Sequence, residues 1–369
     1  MMAKKIKFFL FILIFWVAAF LTWEWWNSFP KVRLVEFATE KGMKGKLDSI
    51  LVQAINEYRL PGVSVALVKD GKVIYLNALG YQNMETKELL DVNSSIPVVS
   101  VSKIFTALTL ANTALSIEKK TSDTLQDSLF QQFPPLSFHQ LLEHKSGLEA
   151  KRSFGSLLFG KRNPSLDEWG TGYLEKTDFH KSNNHPIVYS DLNFDLLGFW
   201  LEKSREGEFQ DQAETQIFEP AGMDQSRFIK FDDWDSVAIT GYQDTFLWKR
   251  LEEKQLKLQV YPSPSTGLLT STQDMSLALI HLLRGEMGNF QEELEWLYDH
   301  ENMKPLGFQK IRMLDSDWIG HFGGQAGYSS FFFLSKNENT GIFLFFNLKD
   351  PDSYRLELSK KLLTQLLQK

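Results

Sequence analysis

The segment Val63-Ser64-Val65-Ala66-Leu67-Val68-Lys69-Asp70-Gly71-Lys72-Val73-Ile74-Tyr75-Leu76 contains two β-rich runs around an Asp-Gly pair. Glycine accepts the positive φ angles of a tight reversal, so the segment predicts a β-hairpin. Upstream, Leu47, Ile50, Leu51, Ala54 and Ile55 recur at helical spacing over 45–59, and Pro61-Gly62 stops that helix. Downstream, helical patterns dominate from about 100 to 300, at Ile104 to Leu115, Asp191 to Leu201, Ser276 to Leu283 and Phe290 to Tyr298. Strand-like runs return at Tyr328 to Leu334 and Gly341 to Phe346, before an amphipathic helix over about 353–367. Strands at both ends of a helical middle predict an α+β chain, one sheet built from both ends with a mainly helical domain inserted. On this reading the sheet subdomain covers about 45–98 and 305–367, and the helical subdomain about 99–304. The cleft between them is the expected place for a site.

The first thirty residues differ from the rest. Lys4, Lys5 and Lys7 precede an apolar run from Phe8 to Leu21, which Trp23, Trp25 and Trp26 close. A basic flank before an apolar run directs export with the lysines left in the cytoplasm, and tryptophans suit a membrane–water interface. The expectation is a signal anchor over residues 1–30 that holds an extracytoplasmic domain at the cytoplasmic membrane, with a cleaved signal peptide as the alternative. The 369 residues carry 43% hydrophobic and 23% charged side chains, an ordinary globular balance. A net charge of −6 offers no basic stripe, which argues against a nucleic-acid partner. The chain has no cysteine, which removes disulfides, thiolate metal sites and a thiol nucleophile together.

Three short stretches carry candidate chemistry. Ser100-Val101-Ser102-Lys103 opens the helix continued by Ile104, Phe105, Leu108, Leu110 and Ala111. Ser-x-x-Lys on a helix brings both side chains to one face, and an amine can take the proton that keeps a serine hydroxyl unreactive. The same spacing occurs at Ser28…Lys31, beside Pro30, and at Ser116…Lys119, where a helix ends. The competing reading is that Ser100 or Ser102 only caps the helix.

Tyr189-Ser190-Asp191 supplies a phenol that could relay a proton beside a lysine, or else a packed tyrosine before an Asp191 N-cap. Tyr242…Asp244 is its rival. His321-Phe322-Gly323-Gly324 could lay substrate against backbone, with the Gly324 and Ser100 N–H groups forming an oxyanion hole and His321 steering a proton. It could equally be a glycine-rich turn with His321 exposed. Other chemistries lack their signatures: there is no His-Glu-x-x-His, no Gly-x-Ser-x-Gly elbow, no Walker loop and no dinucleotide fingerprint.

Taken in order, these stretches resemble the serine β-lactamase and penicillin-binding protein superfamily, in its class C-like branch, over about residues 45–367. Further phrases carry the same resemblance: Pro61-Gly62-Val63-Ser64-Val65-Ala66, Leu141-Leu142-Glu143-His144-Lys145-Ser146-Gly147-Leu148, Glu219-Pro220-Ala221-Gly222-Met223 and Ser265-Thr266-Gly267-Leu268-Leu269-Thr270-Ser271. The resemblance implies an antiparallel sheet flanked by helices, with no metal or organic cofactor. It makes Ser100 the acylated nucleophile, Lys103 its partner and Tyr189 the tyrosine of the second motif, with Asp191, His321, Gly323 and Gly324 facing a small ester, amide or peptide substrate.

Two residues depart from the class C β-lactamase pattern. Asp191 stands in place of an asparagine whose amide donates to substrate, and a carboxylate cannot donate. His321 stands in place of a permanently charged lysine. Both disfavour an efficient β-lactamase, which leaves an exported ester or amide hydrolase as the expected activity. A D-alanyl-D-alanine carboxypeptidase or β-lactamase, and a non-catalytic tethered sensor, are the alternatives. Loops 149–188 and 232–262 should govern substrate choice, and their Phe154, Phe159, Trp169, Tyr173, Trp234, Phe246 and Trp248 are read as packing residues rather than a pocket lining.

Overall fold

The structure, a computed structural model, describes residues 2–33, 41–124, 136–148, 164–176, 187–205, 207–230, 239–258, 260–284, 290–350 and 353–368. Helix α1 (Met2–Trp26) precedes α2 (Met43–Tyr58), strands β1 (Gly62–Lys69), β2 (Lys72–Asn83) and β3 (Glu88–Leu89), and the short β4 (Ile96–Pro97). A 3₁₀ turn at Val99–Val101 leads into α3 (Ser102–Ser116), followed by α4 (Phe138–Leu142), α5 (Leu166–Lys176), α6 (Leu192–Ser204) and α7 (Phe209–Ala213). Then come β5 (Arg227–Phe228), β6 (Gly241–Asp244), β7 (Leu251–Lys254), β8 (Leu268–Thr270), α8 (Thr272–Arg284) and α9 (Phe290–Leu297). The chain closes with β9 (Tyr298–Asp299), β10 (Lys304–Pro305), β11 (Gln309–Met313), β12 (Ser316–Gln325), β13 (Tyr328–Ser335), β14 (Thr340–Phe346) and α10 (Tyr354–Leu367).

Seven strands form one antiparallel sheet in the order β11-β12-β13-β14-β1-β2-β3. The hairpin joins β1 to β2, and β1 also pairs along its length with β14, Val65 opposite Leu344. Helices cover strand β1 on both faces, which explains its continuous apolar run where a half-buried strand would alternate. Val63, Val65 and Leu67 enter a core with Leu51 and Ile55 of α2 and Leu358 and Leu362 of α10. Ala66 and Val68 enter the larger core with α3, α6 and α8. Ser64 turns towards α8, where its hydroxyl is 2.6 Å from that of Thr272, so this buried polar group is satisfied.

Two expectations need correction. Phe246 and Trp248 do not pack into the interior: both are exposed at the tip between β6 and β7. Asp191 occupies the position before α6 but its side chain makes no capping bond there. Trp169 packs against the larger core; Phe154, Phe159, Trp234 and the Tyr173 side chain lie outside the described residues. Helix α1 is long and apolar enough to cross a membrane, by length and composition.

Candidate active site

Ser100 is presented by a turn that the surrounding structure holds tightly. Val99 has φ of 52°, a left-handed conformation unfavourable for a β-branched residue, so the turn must be braced from outside. The braces are visible. The Ser330 hydroxyl of β13 donates to the Val98 carbonyl at 2.7 Å, and the Val98 N–H donates to Leu268 of β8 at 3.2 Å. Ser102 donates to the Val99 carbonyl at 2.5 Å and accepts from the Leu268 N–H at 3.0 Å. Thus the second serine of the motif ties the turn to β8, while the Ser100 hydroxyl lies 3.3 Å from Lys103 Nζ.

The Lys103 side chain is wholly buried, and three acceptors surround its Nζ: Asp191 Oδ1 at 2.7 Å, the Ser265 carbonyl at 3.0 Å and Ser100 Oγ. Three acceptors match the three N–H bonds of an ammonium. Burial pulls the Lys103 pKa down, but the charges of Tyr189 and Asp191 outweigh it and the net displacement is upward. Asp191, with 49% of its side chain exposed, therefore neutralises the buried cation from the solvent side. The charge expected to repel a substrate carbonyl is thereby partly spent on Lys103.

Tyr189 stands at the mouth, half exposed, its ring centroid 5.0 Å from Lys103 Nζ and 6.2 Å from that of His321. Behind it lies His144, 4.5 Å away ring to ring, whose Nδ1 accepts from the Ser190 N–H at 3.2 Å. Burial, aided by the Lys103 charge, brings the His144 pKa down to about 4. Rival motifs go elsewhere. Tyr242 is fully buried with its hydroxyl bonded by the Met84 N–H, and Asp244 pairs with Lys31. Ser28 is bonded by Arg250, and Ser116 by Arg205.

His321 is not on an exposed turn. It lies inside β12 with 2% exposure, and its Nδ1 is 2.6 Å from the Phe322 carbonyl. A carbonyl only accepts, so Nδ1 carries the hydrogen and Nε2 keeps a lone pair. Burial and the Lys103 charge push the His321 pKa down to about 3, and the ring is neutral where its counterpart lysine would be charged.

Strand β11 pairs with β12 only as far as Gly320, so 321–325 have a strand partner only on the β13 side. The Phe322 N–H points to the free edge, towards the Gln309 side chain, and residues two apart face the same way, so the Gly324 backbone does too. Gly323 serves differently from expectation: a side chain there would overlap the Val98 carbonyl and the Ser330 hydroxyl, so this glycine lets β12 abut the turn that carries Ser100.

Sequence reasoning passed over three residues around Lys103. His144 and Ser265 lie in phrases quoted above but carried no assigned role. Asp195 lies one turn along α6 from Asp191, and its Oδ1 accepts from the Ser265 N–H at 3.0 Å, which fixes the carbonyl that Lys103 uses. Burial, reinforced by the Asp191 charge, raises its pKa to about 7. Only the helical spacing of the two aspartates hinted at it. Among the described residues no cluster of three His, Asp or Glu side chains could hold a metal ion.

The sheet, the inserted helices and the Ser-x-x-Lys turn define the architecture shared by serine β-lactamases and transpeptidases. Residues 47–365 match the Beta-lactamase family, and the chain belongs to it. Protein flp of Staphylococcus aureus (strain N315) is 23% identical over 344 residues, which cover 87% of this chain and 66% of that protein. The chain thus spans just under two thirds of the length of that relative. Among solved structures, it is similar in fold to an octameric penicillin-binding protein homologue from Pyrococcus abyssi, with TM-score 0.71, 22% identity and 87% and 77% of the two chains covered. It is similar also to a D-amino acid amidase from Ochrobactrum anthropi SV3, with TM-score 0.70, 18% identity and 88% and 97% covered.

Proposed function

We propose that the protein is an exported serine hydrolase that cleaves ester or amide bonds through an acyl-enzyme on Ser100. The observation that carries this reading is the convergence on Ser100 Oγ of the buried Lys103, itself held by Asp191 and the Ser265 carbonyl. Ser100 Oγ attacks the substrate carbonyl carbon as its proton moves to the neutral, deprotonated form of Lys103, and the Lys103–Tyr189 pair then hands that proton to the leaving alcohol or amine. The carbonyl oxygen, negative in the tetrahedral intermediate, receives the N–H groups of Ser100 and Gly324. Water then attacks the acyl carbon, its proton passing through the same pair to Ser100 Oγ, and the acid leaves with Ser100 restored. The neutral His321 suits a substrate without a carboxylate at that place, which favours simple esters and amides over β-lactams or peptides ending in a free carboxylate.

The N-terminus supports export with retention. Glu24, 3% exposed in a largely exposed helix, accepts from the Leu247 N–H at 2.9 Å, and Phe29 exchanges backbone bonds with Leu251. A cleaved leader would have no use for such docking, so α1 is read as a retained anchor with the cleft on the outer side.

The test is hydrolysis of p-nitrophenyl butyrate and of a D-amino acid amide by the full-length, detergent-solubilised protein, beside its Ser100→Ala variant. Turnover lost in the variant is expected. Equal turnover in both would overturn the assignment, and stoichiometric labelling by penicillin with no turnover of either substrate would move it to the carboxypeptidase reading.

A further inference from the structure

We infer that the tip of the β6–β7 hairpin is a second membrane contact, which enters the headgroup layer of the bilayer that α1 crosses and fixes the direction in which the domain faces. The inference rests on the reading of α1 as a retained anchor.

Phe246, Leu247 and Trp248 are 78%, 52% and 45% exposed at the turn of a short hairpin, an arrangement a soluble surface avoids. Their position relative to α1 identifies what covers them. The Trp248 indole N–H donates to the Leu21 carbonyl at 3.0 Å, and its ring meets Trp25 edge-on at 5.4 Å. Leu21 is the last residue of the apolar run, so the hairpin tip reaches back to where the helix enters hydrocarbon. Residues at that level share the interface with Trp23, Trp25 and Trp26, where amphipathic rings are most stable. Lys249, exposed beside the tip, is placed to meet lipid phosphates.

The joint between helix and hairpin is built to keep this register. Glu24 accepts from the Leu247 and Trp248 N–H groups, and Arg250 lies 4.1 Å over the Trp25 ring while donating to the Ser28 hydroxyl and carbonyl. Phe29 pairs with Leu251 as an added strand residue. These bonds leave little freedom to a domain otherwise tethered by one helix, so the membrane plane and the cleft hold a set relation.

The absence of native cysteine makes the test direct, because one introduced cysteine is the only thiol. Leu247→Cys, Phe15→Cys and Glu301→Cys full-length chains are each labelled with an NBD fluorophore and reconstituted in phosphatidylcholine–phosphatidylglycerol vesicles. Lipids carrying doxyl quenchers near the headgroup or deep in the acyl chain report depth. Glu301 lies on the β9–β10 turn and is exposed, and its label should stay unquenched. The expected result is blue-shifted Leu247 emission quenched by shallow doxyl groups, with the Phe15 label quenched by deep ones.

A Leu247 label that stays water-like while Phe15 is quenched overturns the second contact and leaves the anchor standing. A blue-shifted Leu247 label insensitive to doxyl lipids also overturns it, in favour of a protein neighbour such as a second copy. An unquenched Phe15 label overturns the anchor and the contact together. Each labelled chain is first checked for an unchanged melting temperature.

Discussion

Replacing Gly323 with alanine tests whether the position of Ser100, the proposed nucleophile, depends on close approach of β12. The added methyl carbon would overlap the Val98 carbonyl oxygen and the Ser330 hydroxyl. Ser330 can rotate, but only by giving up its bond to that same carbonyl, and the Val98 oxygen is backbone. To restore the roughly 3.5 Å of ordinary contact, β12 and the Val98–Val99 segment must part by on the order of 1 Å. Ser100 follows the segment and Gly324 follows the strand, so the two N–H groups proposed for the oxyanion separate by a similar amount.

A displacement of that size at a reacting centre costs about 100-fold in rate. Overpacking costs about 1–3 kcal/mol of stability, a fall of a few degrees in Tm. The assay is kcat/KM on the better of the ester and amide substrates, with Tm measured alongside. Gly324→Ala is the steric comparison, because its nearest neighbour is a side-chain end, Arg355 Nη1 at 3.3 Å, which has only a few tenths of an ångström to give, and its Tm should fall less. A Gly323→Ala protein with native kcat/KM and native Tm would refute the reasoning.

Other expectations concern the charges. Ser100→Ala and Lys103→Ala should each cut turnover by several orders of magnitude, and native rates in either would remove the proposed mechanism. Asp191 holds the Lys103 pKa up, so Asp191→Asn should move the alkaline rise of the pH–rate profile to lower pH; an unmoved or upward-shifted limb contradicts the ion-pair account. The His321 and His144 pKa values are pushed down to about 3 and about 4, so both imidazoles are neutral at pH 6 and above and neither should contribute an inflection to kcat/KM near the usual imidazole value, where Asp195, raised to about 7, is the site group that titrates. A limb there that His321→Gln abolishes would refute the burial argument. Their depressed values also mean that the unfolded chain takes up protons first on acidification, so their contribution to stability is full above about pH 6.5 and is lost as the pH falls towards 3. Tm should therefore decline over that window, and less steeply in His321→Gln.

The parts of the fold legible in the sequence were those with local signals. Asp70-Gly71 announced the hairpin, and the leucines of the last helix announced α10. The antiparallel sheet with inserted helices stands as expected. Strand β11 was not legible, because Gln309-Lys310-Ile311-Arg312-Met313 is an edge strand with polar residues turned outward and too little apolar patterning to stand out. At the site, the motifs indicated which residue types to look for, but not which partner each would choose. Asp191 looked like a cap because caps are local, whereas its bond to Lys103 joins residues 88 apart in sequence. Gly323 looked like a substrate contact because nothing in the sequence records that Val98 passes behind it.

The interior position of β1 in the sheet bears on how this chain matures. Its partner β14 follows β2, β3 and all the inserted helices in chain order, so the middle of the sheet cannot close while the ribosome is still working on the intervening residues. Contacts so distant along the chain form slowly, since the whole connecting segment must be gathered first. A polypeptide threaded through a narrow conduit benefits from that delay. The proposed export of this chain would gain in that way, since the sheet can lock only after β14 has joined β1.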